Sequence, residues 1–234
     1  MLDTVRDADS GRILPQLVPT ILDLLRTGEV AFHKDAREYL FRRVLIEVLH
    51  RICASEMIRT QAPFLFKGML YVLRHDNEEN GVTCCKTIIE ISRSFRNLTE
   101  DMVAEWLEMF KLVLKNTEGL VNELLSTDSV QMDDKVLLPS TRSFKVLAEM
   151  GMVTVTFCQQ HRNLMSSALQ DILALNFEVL ALESPTQKAE KEDYEAMGEY
   201  WSGMSSSIKN HHAYVDFITA QIKVWIMSDL NFIC

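Results

Sequence analysis

Between Asp35 and Cys53 the apolar residues fall at Leu40, Phe41, Val44, Leu45, Val48, Leu49 and Ile52, in steps that alternate between one and three residues. That alternation draws one stripe down a helix of 3.6 residues per turn and is incompatible with the two-residue period of a strand. A helix with such a stripe must pack it against a neighbour.

The same pattern recurs along the chain. Ile13, Leu14, Leu17, Val18, Ile21, Leu22 and Leu25 form a first stripe, with Gly28 placed as a C-cap. Pro15 suits a first turn, and Pro19 is expected to kink or interrupt the helix. Further stripes cover Phe64 to Leu73 and Val82, Cys85, Ile88, Ile89, Ile91 and Phe95. Thr99 reads as an N-cap, with Glu100 and Asp101 complementing the helix dipole before Val103, Trp106, Leu107 and Phe110. Gly119 is expected to break that helix ahead of Leu120–Leu125. A polar loop spans about 126–142 and contains Asp133, Asp134 and Pro139. Val153–Phe157 alone resembles a strand, but its flanks have helical spacing, so Phe144–Phe157 reads as helix. Leu164–Leu182 is another helix, 183–192 a linker by composition, and Tyr214, Val215, Phe217, Ile218 and Ile222 a last stripe.

These patterns predict an all-α chain of roughly eight amphipathic helices joined by mostly short connections, as antiparallel helix hairpins require. Hairpins starting near Ile13, Gln61, Thr99 and Leu164 give the spacing of a HEAT-like α-solenoid in two of three intervals. Periodicity alone does not separate a solenoid from a compact bundle. The expectation is one solenoid segment over residues 1–234, with residues 224–234 atypical. Eight glycines and five prolines in 234 residues suit long helices better than a turn-rich sandwich.

Composition narrows the partners. A net charge of −9 repels phosphate backbones, so no direct nucleic-acid contact is expected. Lys34, Arg37, Arg42, Arg43 and Arg51 do cluster, but Glu38–Arg42, Arg43–Glu47 and Glu47–Arg51 are spaced to pair locally along a solvated helix face. Cys53, Cys84, Cys85, Cys158 and Cys234 are few, scattered and odd in number, so buried reduced thiols and a reducing compartment follow. The polar start MLDTVRDADSGR has no signal-peptide core, and no apolar run reaches membrane-spanning length. A soluble intracellular chain is expected, with no membrane partner.

Residue chemistry points away from catalysis. Asp76-Asn77-Glu78-Glu79-Asn80-Gly81 imitates the start of a calcium-binding EF loop, but the twelfth position, which needs a bidentate glutamate, is Thr87. A helix start fits better, with Asn77 or a neighbour capping and Glu78 and Glu79 at the positive end of the dipole. Cys84 and Cys85 are adjacent rather than spaced as a zinc pair, and Cys158 with His161 supplies two ligands where zinc needs more. His211 and His212 are adjacent, so they diverge on a helix. Ser205, Ser206 and Ser207 make no nucleophile elbow, and no glycine-rich phosphate loop occurs. Glu190, Glu192, Asp193 and Glu195 read as a solvated tether. Trp106 shares a stripe with Val103, Leu107 and Phe110, which makes it core; Trp201, Trp225 and the 12 methionines are interface candidates only by residue type. No catalytic residue, metal site, cofactor or small-molecule substrate is expected.

The segment FLFKGMLYVLRHDNEENGVTCCKTIIEISRSF (Phe64–Phe95) resembles the N-terminal helical solenoid of the TRRAP family, very large pseudokinase-bearing scaffolds. Its most specific part is HDNEENGVTCCKTIIEISRSFR, and SFKVLAEM (Ser143–Met150) and YVDFITAQIK (Tyr214–Lys223) support it in the family's order. The likeness runs from about Ile13 to Lys223, and the tail VWIMSDLNFIC departs from it. The resemblance implies a nuclear, non-catalytic scaffold segment of a transcription co-activator. Its partners would be transcriptional activators and subunits of SAGA-type histone acetyltransferase complexes. It also implies a piece of a longer solenoid, since neither the kinase-like domain nor the helical region before it lies in this stretch. Two other classes share a solenoid of this kind: the arm of an active phosphatidylinositol-3-kinase-like protein kinase, and an importin-like transport receptor.

Overall fold

The computed structural model describes residues 7–95, 99–125, 135–166, 168–182 and 205–230. Among them the chain is all helical apart from short turns and two isolated antiparallel bridges, His33 with Val136 and Asn77 with Pro139.

The first helix, α1 (Asp7–Thr27), buries Leu14, Val18, Ile21, Leu22 and Leu25. Contrary to expectation it runs on without interruption through Pro19, and Pro15 lies past its first turn. Pro19 has no N–H for the carbonyl one turn back, and it lies on the exposed side of the helix. Gly28 follows the helix but does not take a left-handed cap conformation. It is needed for room, because a Cβ there would sit 2.7 Å from the Leu24 carbonyl oxygen. Next comes α2 (Arg37–Ile52), then a short 3-10 turn, Glu56–Gln61, capped by Ser55.

The hairpin α3 (Ala62–His75) and α4 (Glu78–Ser94) forms the middle of the molecule. Asn77 caps α4 by accepting from the Asn80 amide at 3.1 Å, and Thr99 caps α5 (Glu100–Lys115) through the Met102 amide, both as the sequence predicts. The break after α5 falls at Asn116, not Gly119, which lies inside α6 (Thr117–Leu124). In the expected loop, residues 126–134 lie outside the described residues. The remainder packs onto the helices: Leu137 is buried, and its amide donates to the Phe32 carbonyl at 2.8 Å.

The long α7 (Phe144–Gln160) carries the strand-like stretch, and it is helix. Its threonines lose nothing there, since Thr154 and Thr156 donate to the carbonyls of Met150 and Met152 one turn back, each at 3.0 Å. The expected helix over Leu164–Leu182 is split into α8 (Arg162–Met165) and α9 (Leu169–Leu180). Residues 183–192, the predicted linker, lie outside the described residues. The last helix, α10 (Ser205–Leu230), absorbs the first part of the atypical tail.

Successive elements pack in order: α1 on α2 and α3, α2 on α4, α4 on α7, and α7 on α10, with α5 against α3, α7 and α9. Aromatic rings mark the seams. Trp106 of α5 stands edge-on to Phe157 of α7 at 5.8 Å, and its indole donates to Thr154 Oγ1 at 3.1 Å. Phe66 of α3 stacks on the same Phe157 at 6.2 Å, and Phe144 of α7 meets Phe217 of α10 at 5.9 Å. The architecture is an all-α solenoid of packed helix hairpins.

Candidate functional site

Two sequence features that looked separate, the arginine cluster near α2 and the acidic motif after His75, meet at one buried junction. Arg42 is 2% exposed. Its Nε donates to Asp76 Oδ2 at 2.8 Å, and its Nη2 lies 2.7 Å from the same oxygen. Its Nη1 turns the other way and donates to the carbonyls of Leu25 (2.9 Å) and Gly28 (3.0 Å) at the end of α1. One guanidinium therefore satisfies carbonyls at a helix C-terminus and neutralises a buried carboxylate.

Asp76 is equally committed. Its Oδ1 accepts from the Asn77 amide (2.8 Å), Asn77 Nδ2 (3.0 Å) and Asn80 Nδ2 (2.9 Å). Asn77 Nδ2 also reaches the Ala31 carbonyl at 3.1 Å. Ser140 closes the far side, its hydroxyl donating to the carbonyls of Asp76 (2.9 Å) and Asn77 (2.7 Å). The Glu78 amide donates to the Leu138 carbonyl at 2.8 Å, and Ser143 Oγ to Glu78 Oε2 at 2.6 Å. The residues that imitate a calcium loop are spent on tying α1, α2, the α3–α4 turn and the segment before α7 together. Thr87, at the position where a calcium ligand was required, is buried and pairs with His50 Nδ1 at 3.1 Å.

This junction corrects the sequence reading of α2. Of the three predicted local pairs only Glu47–Arg51 forms, at 3.2 Å. Arg43 approaches Glu79 at 3.7 Å and donates to Tyr39 Oη at 3.1 Å. Glu79 also accepts from Tyr39 and pairs with Lys34 at 2.9 Å. Burial alone would push the Glu79 carboxyl up, but Tyr39, Lys34 and Arg43 together hold it below its ordinary range. Because α2 turns Tyr39, Arg42, Ile46, Leu49 and Ile52 inward, much of its predicted stripe faces out. Leu40, Phe41 and Val44 are 54%, 53% and 60% exposed.

The other sequence candidates are structural. Cys53, Cys84, Cys85 and Cys158 are buried, while Cys234 lies outside the described residues. Burial, with Glu90 nearby, pushes the Cys53 thiol up to about 12, and burial raises Cys84 and Cys85 well above the ordinary thiol range. None of these three forms a reactive thiolate at neutral pH. His161 ends α7 with its ring edge-on to Phe157. No group of three or more metal-ligating side chains occurs among the described residues, and no helix there is long and apolar enough to cross a membrane. Trp106 is core, as expected. Trp201 and the acidic run from Glu190 to Glu195 lie outside the described residues, as do the side chains of Trp225, His211 and Ser205–Ser207. Sequence spacing missed an open groove of about 770 Å³ between α5, α6 and Arg142, lined by Met109, Leu112, Val113 and Leu120.

No protein-family model matches the chain. Similar curated proteins do. The SAGA complex/NuA4 acetyltransferase complex subunit TRA1 of Saccharomyces cerevisiae is 24% identical over 253 residues, covering 90% of this chain. The human transformation/transcription domain-associated protein is 24% identical over 240 residues, again 90% of the chain. The Schizosaccharomyces pombe SAGA/NuA4 subunit Tra1 is 23% identical and covers 88%. The chain spans only 6–7% of the length of these relatives.

Proposed function

We propose, from the likeness of about nine-tenths of the chain to Tra1 and the transformation/transcription domain-associated protein, that it is a TRRAP-family segment, a non-catalytic scaffold piece of a transcription co-activator in the nucleus. It acts by surface presentation: stacked helix hairpins hold a curved face open to helical or disordered segments of protein partners. The partners are subunits of histone acetyltransferase complexes of the SAGA/NuA4 kind and the activators that recruit them. The observation that carries this reading is the match along about nine-tenths of the chain to relatives named as SAGA/NuA4 subunits. The polar junction agrees with it, since its acidic residues serve packing rather than chemistry. The test is affinity purification of the tagged gene product from its own cells. Acetyltransferase subunits in the eluate, at fixed stoichiometry, are the expected result. A clean purification without them overturns the reading. Phosphoryl transfer by that purified product would favour the arm of an active kinase instead.

A further inference from the structure

Helix α2 has two apolar faces, and among the described residues only one is covered. Its buried face carries Tyr39, Ile46, Leu49 and Ile52 around Arg42. On the opposite side Phe41, Val44 and the half-buried Val48 follow one another at three- and four-residue steps, with Leu40 beside them. A contiguous exposed stripe of this kind marks a contact surface, unlike single apolar residues scattered over a protein.

The charges at its ends say what covers it. Arg37 and Arg51, both exposed, lie in line with the stripe, 14 residues apart, or about 21 Å at 1.5 Å per residue. Arg37 is the first residue of α2, whose N-cap Ala36 makes no side-chain hydrogen bond. A cation there works against the helix dipole, so its placement costs α2 stability. A second copy of the chain docking α2 on α2 would set arginine against arginine in either orientation. Antiparallel helices centred on Val44 bring Arg37 to Arg51, and parallel ones bring each to its own counterpart. Like charges meeting in this way disfavour self-pairing. The ion pair of Arg51 with Glu47 softens one end but leaves Arg37 as it is.

We propose that this outward face of α2 is a docking site for an amphipathic helix of a partner protein that carries an aliphatic ridge and a carboxylate near each end. The proposal rests on the scaffold reading and gives it a location and a partner chemistry.

The probe is a fluorescein-labelled 18-residue synthetic helix with leucines along one face and two glutamates at each end, titrated with the whole chain and read by fluorescence anisotropy. A twin peptide with lysines at its ends is the control. The expected result is saturable binding of the acidic-ended peptide, weakened at least about tenfold by the F41D/V44D double variant, which alters only exposed side chains. Circular dichroism and thermal melts confirm that this variant folds. R37E/R51E should weaken the acidic-ended peptide and strengthen the lysine-ended one, and salt should erode that preference. Equal binding of the two peptides, or binding that survives F41D/V44D in a folded protein, overturns the proposal. So does a dimer in sedimentation that F41D dissociates, which would make a second copy the occupant. If F41D/V44D abolishes peptide binding while acetyltransferase subunits never co-purify, the docking site stands and the scaffold assignment falls. If those subunits co-purify but neither peptide binds, the reverse holds.

Discussion

Helices α2 and α4 carry comparable apolar stripes in the sequence, yet only α4 buries the one it advertises. In α4, Cys85, Ile88, Ile89 and Ile91 are all buried, and Phe95 just beyond its end is too, with only Val82 partly open. In α2, Leu40, Phe41 and Val44 point to solvent while an arginine goes inside. At 100° per residue, Arg42 and Val44 lie about 200° apart on the helix. The helix cannot bury both. The junction wins because an unpaired Asp76 and the carbonyls at the end of α1 would cost more than a few exposed methyl groups. Apolar stripes thus set where α4 faces, and a polar contact sets the rotation of α2.

The sharpest way to break that contrast is to remove Arg42. Arg42→Ala strands the Asp76 carboxylate and two carbonyls, and should destabilise the chain by about 3–5 kcal/mol in urea denaturation. Arg42→Leu frees α2 to rotate as its stripe prefers. A cysteine placed at Val44 should react readily with a thiol reagent in the otherwise unaltered chain and slowly in the Arg42→Leu background. Equal reactivity in both would show that something other than Arg42 orients the helix.

Gly81 tests the α4 side of the same junction. A Cβ there would lie 2.4 Å from Ser140 Oγ and 2.9 Å from Ser140 Cβ. Ser140 is the residue that bonds the Asp76 and Asn77 carbonyls. Gly81→Ala should therefore cost about 1–3 kcal/mol through overpacking, with α4 still helical by circular dichroism. A neutral result would mean that the segment before α7 shifts aside at little cost.

Local rules were legible in the sequence; relations between distant segments were not. Asn77 and Thr99 cap where the spacing of side-chain acceptors and following acids says they must, because a cap is decided within four residues. The helical state of Val153–Phe157 was readable from its flanks. Arg42 was misread because Glu38 is four residues away and Asp76 is 34, and periodicity weighs only the near partner. The break at Asn116 and the split before Leu169 escaped for a similar reason: neither site carries a glycine or proline to announce it. For the site, the EF-like run was rightly read as a helix start, but its role in tying α1, α2, the α3–α4 turn and the segment before α7 together needed the fold.

A smaller effect separates the buried half of the junction from its rim. With its pKa held below the ordinary 4.5, Glu79 contributes stability that is present above that value and lost as pH falls through the lower folded pKa. Glu79→Gln should lower the thermal midpoint at pH 7, and the gap from the unaltered chain should close in acid, as the pH falls below 4.5 and on through the lower folded pKa. A gap that stays constant with pH would mean that the contribution of Glu79 is packing rather than charge.

The smallest effect should come from the exposed stripe itself, and it sharpens the comparison most. Val44 is 60% exposed and lies opposite Arg42, so Val44→Ser removes little buried area and touches no partner in the junction. The stability change should stay within about 0.5 kcal/mol, the range of ordinary surface substitutions. The matching change in α4, Ile88→Ser, removes a fully buried side chain and leaves a hydroxyl in an apolar site, for a cost of several kcal/mol. Two apolar residues from equivalent stripes would then differ severalfold in their value to the fold. An apolar residue that contributes so little to folding is free for contact with something outside the chain, as the proposed docking face requires. If Val44→Ser instead destabilised the chain as Ile88→Ser does, the stripe would be packed in solution, and α2 would not have the rotation that Arg42 imposes.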